Sequence, residues 1–199
     1  MGGDALITIG VTGKYCSGKS HIVSLLDLPT IDVDKLGYGA MEIAKEQVIA
    51  TFGKAIVTPE GEIDRQGLGK IVFNDREELI KLERLLHPHM QQAVFKLIGE
   101  YRERREKGVV INAALLQRMK LDLLCDYVCY IYAPRLFRYK RAVARDGATI
   151  ASFLKMEKSQ KDINWKNLTQ SIPHYILKNY GRESFISRQV EQFCVSIGL

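Results

Sequence analysis

No apolar run in the sequence approaches the ~20 residues that cross a bilayer, so no membrane partner is expected. Cysteine is sparse: Cys16, Cys125, Cys129 and Cys194 are the only four in 199 residues. They form no Cys-x-x-Cys pair, and no histidine stands at metal-finger spacing, which argues against a zinc module or a redox dithiol. Cys125 and Cys129 flank an apolar stretch and read as buried, reduced thiols, so the expected compartment is cytoplasmic. No basic residue precedes the first apolar run, where Asp4 stands instead, so a secretory signal is not expected. Leu6 in place of Ser or Thr argues against myristoylation at Gly2. There is no Asn-Lys-x-Asp motif to read guanine, no internal repeat and no low-complexity tract. The net charge is +6, but there is no cationic tail and no interleaving of aromatic and basic residues. Small phosphorylated metabolites therefore suit the charge better than nucleic acid.

What is present is an ordinary core composition, 46% hydrophobic and 26% charged, in a chain long enough for one globular unit with inserted subdomains. Short β-branched runs at Leu6–Gly10, Thr30–Val33, Val109–Ile111, Tyr127–Tyr132 and Tyr175–Leu177 predict strands. Between them lie helical patterns: from Ser20, over Lys35–Thr51, over Asp75–Lys107, from Pro134 to Asp146, over Ile150–Lys161, and over Arg182–Val195. Leu36, Met41, Ile43, Ala44 and Val48 are the inner-face candidates of the second pattern. Leu79, Leu82, Leu86, Met90, Val94 and Leu97 form one stripe of the third. Pro88 is expected to break or kink that helix, and Gly108 to stop it. Pro59 to Glu62 reads as a turn, with room for a small hairpin. Strands alternating with helices predict an α/β fold with a parallel sheet, into which the almost strand-free segment from Lys35 to Met90 is inserted.

Gly13-Lys14-Tyr15-Cys16-Ser17-Gly18-Lys19-Ser20 fits the phosphate-loop pattern, with a strand before it and a helix after it. Its glycines let successive N–H groups converge on phosphate oxygens, and the following helix adds its positive end. Lys19 can reach the β- and γ-phosphates, and the Ser20 hydroxyl can ligate Mg²⁺. Tyr15 either covers the nucleotide or packs on the protein; packing is the expectation. Asp32 and Asp34 lie at the carboxyl end of the second strand, where open α/β sheets collect ligands. Two apart in an extended segment, they are expected to face opposite ways. One can orient or deprotonate an attacking hydroxyl, or Asp34 can simply cap a helix. Arg141 and Arg145 share a helical face and can offer cations to phosphoryl transfer, or form a solvated basic face. Arg65 can reach a substrate phosphate or cap a turn. His87 is either a substrate contact or a satisfied core residue.

The ordered set of motifs resembles the dephospho-CoA kinase family. The resemblance runs through Ile9 to Ser20, Ile31-Asp32-Val33-Asp34-Lys35, Phe52-Gly53, Gly61 to Arg65, Leu68 to Phe73, Leu82-Glu83, His87-Pro88 and Arg141 to Gly147, with Gln160 and Asn179 in place. It implies ATP with Mg²⁺, dephospho-CoA as acceptor through its ribose 3′-hydroxyl, and formation of coenzyme A. It also implies a P-loop core (1–34, 91–146 and 170–199), a helical substrate-binding region (35–90) and a lid (147–169), in a monomer or weak oligomer. On that resemblance Asp34 is the base, Lys19, Arg141 and Arg145 are catalytic cations, and Thr12, Arg65 and His87 lie at the substrate. The chain departs from the family at Asn112 and Gln117, where carboxylates are usual, at Lys155, where Arg is usual, and at Pro173-His174. A nucleotide-binding regulatory protein, or a P-loop kinase acting on another hydroxyl, are the competing readings.

Overall fold

The computed structural model describes residues 6–199, so the readings of Gly2 and Asp4 lie outside the described residues. In chain order it comprises β1 (Ile7–Thr12), α1 (Lys19–Leu26), β2 (Thr30–Asp32), α2 (Val33–Ile43), α3 (Lys45–Phe52), α4 (Arg65–Val72), α5 (Arg76–Glu103), β3 (Gly108–Asn112), β4 (Tyr127–Tyr132), α6 (Arg135–Asp146), α7 (Ile150–Ser159), β5 (His174–Lys178) and α8 (Glu183–Ile197). Two compact units result: one joins the residues up to Asp34 to Leu97–Leu199, the other is Lys35–Lys96. Residues 147–169 fall within the first.

The first unit is the α/β body. Its five strands run in the order β2-β3-β1-β4-β5, and every pairing is parallel. Strands buried on both faces need apolar runs, as in Val109-Val110-Ile111 of β3 and Val128-Cys129-Tyr130-Ile131 of β4, while β1 also buries Thr8 and Thr12. Ile9, Val11, Val110, Cys129, Ile131 and Leu177 pack with Ile22 and Leu26 of α1 and with Ile186, Val190, Phe193 and Ile197 of α8. Each full burial of this kind contributes about 1.5–3 kcal/mol relative to exposure. Because the strands are parallel, their carboxyl ends share one edge, and β1 delivers the phosphate loop there.

The second unit has its own small core, in which Ala44, Val48, Ile56, Leu68, Val72 and Leu82 pack with Met41, Phe52, Leu79 and Leu86. Asp64 caps α4, accepting from the N–H groups of Gln66 (3.1 Å) and Gly67 (3.0 Å). The turn at 59–62 closes on a single antiparallel bridge, Val57 with Ile63.

Several local expectations change. The second strand ends at Asp32, so Asp34 sits in the first turn of α2 and not in an extended segment. A carboxylate is favourable there beside unpaired helical N–H groups. The alternation argument for opposed Asp32 and Asp34 side chains therefore fails. Lys35–Thr51 is two helices broken at Ala44, and Ile43, expected inside, is 69% exposed. Pro88 lies within α5 without ending it. One lost hydrogen bond does not break a 28-residue helix that is otherwise continuous. That helix stops at Glu103, not at Gly108, which instead opens β3. A Cβ on Gly108 would approach the Ile7 carbonyl to 3.2 Å, so its smallness serves strand pairing.

Candidate active site

Between β1 and α1 the backbone makes a tight loop, with Ser17 N–H donating to the Lys14 carbonyl at 3.0 Å. Two glycines are required by what surrounds them. At Gly13 (φ 155°) a Cβ would lie 2.6 Å from the Ile131 carbonyl oxygen, and at Gly18 (φ 84°) 2.0 Å from the Asn179 amide nitrogen. Cys16 adopts the same left-handed region (φ 56°) without being glycine. Lys19 opens α1 and folds back, Nζ donating to the Gly13 carbonyl at 3.2 Å.

A second layer grips the loop from outside. Asn179, 2% exposed, donates its amide to the carbonyls of Ser17 (2.9 Å) and Gly18 (3.1 Å). Arg141 donates Nη1 to the Ser17 carbonyl (3.0 Å) and Nη2 to the Asn179 carbonyl (2.8 Å). Tyr15 is held by its N–H, which donates to Gln160 Oε1 at 2.6 Å, and by its hydroxyl, which donates to Asp146. Its ring packs with Phe153, so it behaves as a packed residue. Arg145 donates Nε (2.9 Å) and Nη2 (2.8 Å) to the same Asp146 and lies 5.4 Å from the Tyr15 ring centre.

Beside the loop is a cavity of about 500 Å³ lined by Cys16, Gly18, Lys19, Ser20, Arg141, Ala144 and Arg145. Burial pushes the Lys19 ammonium down from its ordinary value; Asp34 pulls it up, and Arg145 pushes it further down. The Asp34 carboxyl is raised, first by desolvation, with Asp32 adding repulsion and Lys19 opposing both. Asp34 is exposed at its surface, so water screens part of this. Lys19 and Asp34 thus sense one another at the carboxyl edge of the sheet. Asn112 is paired in register with Asp32 at the end of β3, and its Oδ1 is a buried acceptor with no hydrogen bond, as is the Ser17 hydroxyl.

The first unit therefore holds Thr12, the whole loop from Gly13 to Ser20, Asp34, Arg141 and Arg145. Thr12 is buried and donates its hydroxyl to the Ala114 carbonyl at 3.1 Å. Arg65 and His87 belong to the second unit. There Arg65 pairs with Glu42 at 3.0 Å and stands 4.4 Å from the Tyr38 ring centre, while His87 is half-buried in α5. Arg138 and Glu157 were not singled out by the sequence, although Arg138 donates to the Tyr15 carbonyl of the loop and pairs with Glu157. The only available signal was that Arg138 shares a helical face with Arg141 and Arg145.

A family model described as dephospho-CoA kinase matches residues 7–183. The dephospho-CoA kinase of Borreliella burgdorferi is 30% identical over 197 residues, covering 96% of this chain and 94% of that protein. A crystal structure from Thermus thermophilus superposes with a TM-score of 0.79 at 26% identity, covering 96% of this chain and 98% of the other. Dephospho-CoA kinase from Campylobacter jejuni gives a TM-score of 0.59 at 23% identity, with 96% of each chain covered, a likeness that speaks for the fold.

Proposed function

The chain belongs to the dephospho-CoA kinase family, and we propose that its phosphate-loop cleft transfers the γ-phosphoryl of ATP to the ribose 3′-hydroxyl of dephospho-CoA. The observation that carries this reading is the phosphate loop itself, whose Cys16, Gly18, Lys19 and Ser20 line a cavity of about 500 Å³, with Asp34 near enough for its charge to act on Lys19. In-line transfer needs the 3′-oxygen to attack the γ-phosphorus while the bond to the β,γ-bridging oxygen breaks. Asp34 accepts the proton leaving the hydroxyl, and Asp32 sharpens its affinity for that proton. Lys19 balances charge building on the phosphoryl oxygens, and loop N–H groups share the load. Arg141 contributes by holding the Ser17 carbonyl, which keeps the loop in its binding shape. Arg145 can turn from Asp146 toward phosphate, since that carboxylate is on the surface and only weakly costly to leave. Thr12, Arg65 and His87 are proposed as substrate contacts on the family resemblance alone.

The residues present fit Mg²⁺. Among the described residues no group of three His, Cys, Asp or Glu side chains could hold a metal ion. Magnesium needs no such cage, because it keeps water and leans on phosphates with one or two protein oxygens. The Ser20 hydroxyl, the Asp32 carboxylate and the Oδ1 of Asn112 would supply those. When bound with ATP, Mg²⁺ neutralises charge across the β- and γ-phosphates. The amide at 112 brings an oxygen but no charge, so the Asp32 carboxylate would carry the electrostatic share.

No helix among the described residues is long and apolar enough to cross a membrane. The test is Asp34→Asn. ATP should bind as in the wild type, while transfer falls by about 10²–10⁴-fold, the usual worth of a positioned base. Unchanged transfer would place the base elsewhere.

A further inference from the structure

The most deeply buried charge near the phosphate loop belongs to a residue with no part in the chemistry above. Arg138, on α6, is 6% exposed. Its Nε donates to the Ala133 carbonyl at 3.0 Å, where β4 gives way to α6. Both terminal nitrogens donate to the carboxylate of Glu157 on α7, Nη2 at 2.9 Å. Nη1 also reaches the Tyr15 carbonyl at 3.4 Å. Phe153, 3% exposed, covers the pair, its ring centre 5.8 Å from the guanidinium carbon.

A fork-shaped cation can hold two or three acceptors in one plane, which a lysine cannot. The third acceptor gives this pair its interest. The Tyr15 carbonyl belongs to the peptide bond that enters Cys16. A trans peptide sends its N–H opposite to its carbonyl, so gripping that oxygen fixes the direction of the Cys16 N–H. Cys16 is the residue held at φ 56°, a region that non-glycine residues leave unless their surroundings over-determine them. Those surroundings are identifiable: Gln160, just beyond α7, takes the Tyr15 N–H at 2.6 Å, and Arg138 takes the Tyr15 carbonyl. Tyr15 is thus held at both ends of its backbone by α7 and by the arginine tied to α7.

We infer that Arg138 is a positioning residue, which with Glu157 staples α7 to the phosphate loop and presets the loop's Tyr15–Cys16 peptide for nucleotide phosphates. This rests on the reading of the loop as the ATP site. The consequence is selective: losing the arginine's hold on the Tyr15 carbonyl weakens ATP and leaves dephospho-CoA recognition alone.

The experiment measures the ATP Kd by titration calorimetry, both KM values and thermal unfolding in wild type, Glu157→Gln and the double variant Arg138→Met/Glu157→Leu. A buried ion pair replaced by apolar side chains costs little stability, so the double variant should fold with a Tm near wild type. Its ATP affinity should nevertheless fall by about threefold to tenfold, the range for one ordinary hydrogen bond, as suits a contact of 3.4 Å, with the dephospho-CoA KM unchanged. Glu157→Gln keeps the arginine and its grip on Tyr15, so it should lower Tm while leaving ATP affinity close to wild type. A folded double variant with wild-type ATP affinity overturns the inference. So does a Glu157→Gln variant as weak for ATP as the double one, since the ion pair alone would then set affinity. If wild type and Lys19→Met bind ATP equally, the loop is not the nucleotide site, and the reading beneath falls with it.

Discussion

Asn179 makes an informative target because it joins the last strand to the phosphate loop without touching reacting atoms. In Asn179→Ala, two loop carbonyls lose a donor, Ser17 at 2.9 Å and Gly18 at 3.1 Å. Neither is orphaned outright. Ser17 keeps Arg141 Nη1 at 3.0 Å, and Gly18 keeps the Ile22 N–H at 3.3 Å. Each loss therefore belongs at the low end of the usual penalty for a buried unpaired group, about 1 kcal/mol. Together they cost roughly 2 kcal/mol, which in a chain of this size lowers Tm by about 4–8 °C. Asn179→Asp keeps the shape but turns a carboxylate oxygen toward two carbonyls, and should weaken ATP binding further than alanine does. Gly18→Ala should be partly tolerated only beside Asn179→Ala, because its Cβ would otherwise meet the amide nitrogen at 2.0 Å. Thermal unfolding and calorimetric ATP titration read both effects. An Asn179→Ala protein within about 1 °C of wild type, with unaltered ATP affinity, would show that the loop does not depend on this clamp.

The charges set four further outcomes. Because the Asp34 carboxyl is raised above its ordinary 3.8, the transfer rate should begin to fall with decreasing pH above that value. Asp32→Asn removes the like charge and should move this acid limb downward; a limb that stays or rises contradicts the coupling. Glu157 is lowered from 4.5, chiefly by hydrogen bonds from Arg138, so its stability contribution is complete above 4.5 and is lost as pH falls through the depressed value. The Tm gap between wild type and Glu157→Gln should accordingly close on acidification, whereas a gap constant with pH would mean the pair contributes nothing through charge. Lys19→Met should weaken ATP binding and raise the acid limb further, since the cation that opposes Asp34 protonation is gone.

The phosphate loop, the parallel sheet and the separate helical segment were legible because each has a local signature. A Gly-rich loop between strand and helix, or an apolar run with β-branched residues, is set by neighbours in sequence. The end of β2 lies one residue before the expected Val33, and that difference changes the geometry of Asp34, which falls in the first turn of α2. Pro88 shows the limit of local rules, since the helix continues through it. The loop's outer supports could not be read at all from spacing. Asn179 lies 162 residues from the Ser17 carbonyl it binds, and Arg138 lies 123 from that of Tyr15. Asn179 and Gln160 stood out only as marks of the resemblance, and Arg138 looked like one more cation on a basic helix.

The most direct measurement is ADP release from Mg-ATP with and without dephospho-CoA, with the product weighed by mass spectrometry. Substrate-dependent release, together with one phosphoryl group added to dephospho-CoA, is the expected result. Tight ATP binding with no transfer to dephospho-CoA would contradict it and make this chain a nucleotide binder or a kinase for another hydroxyl.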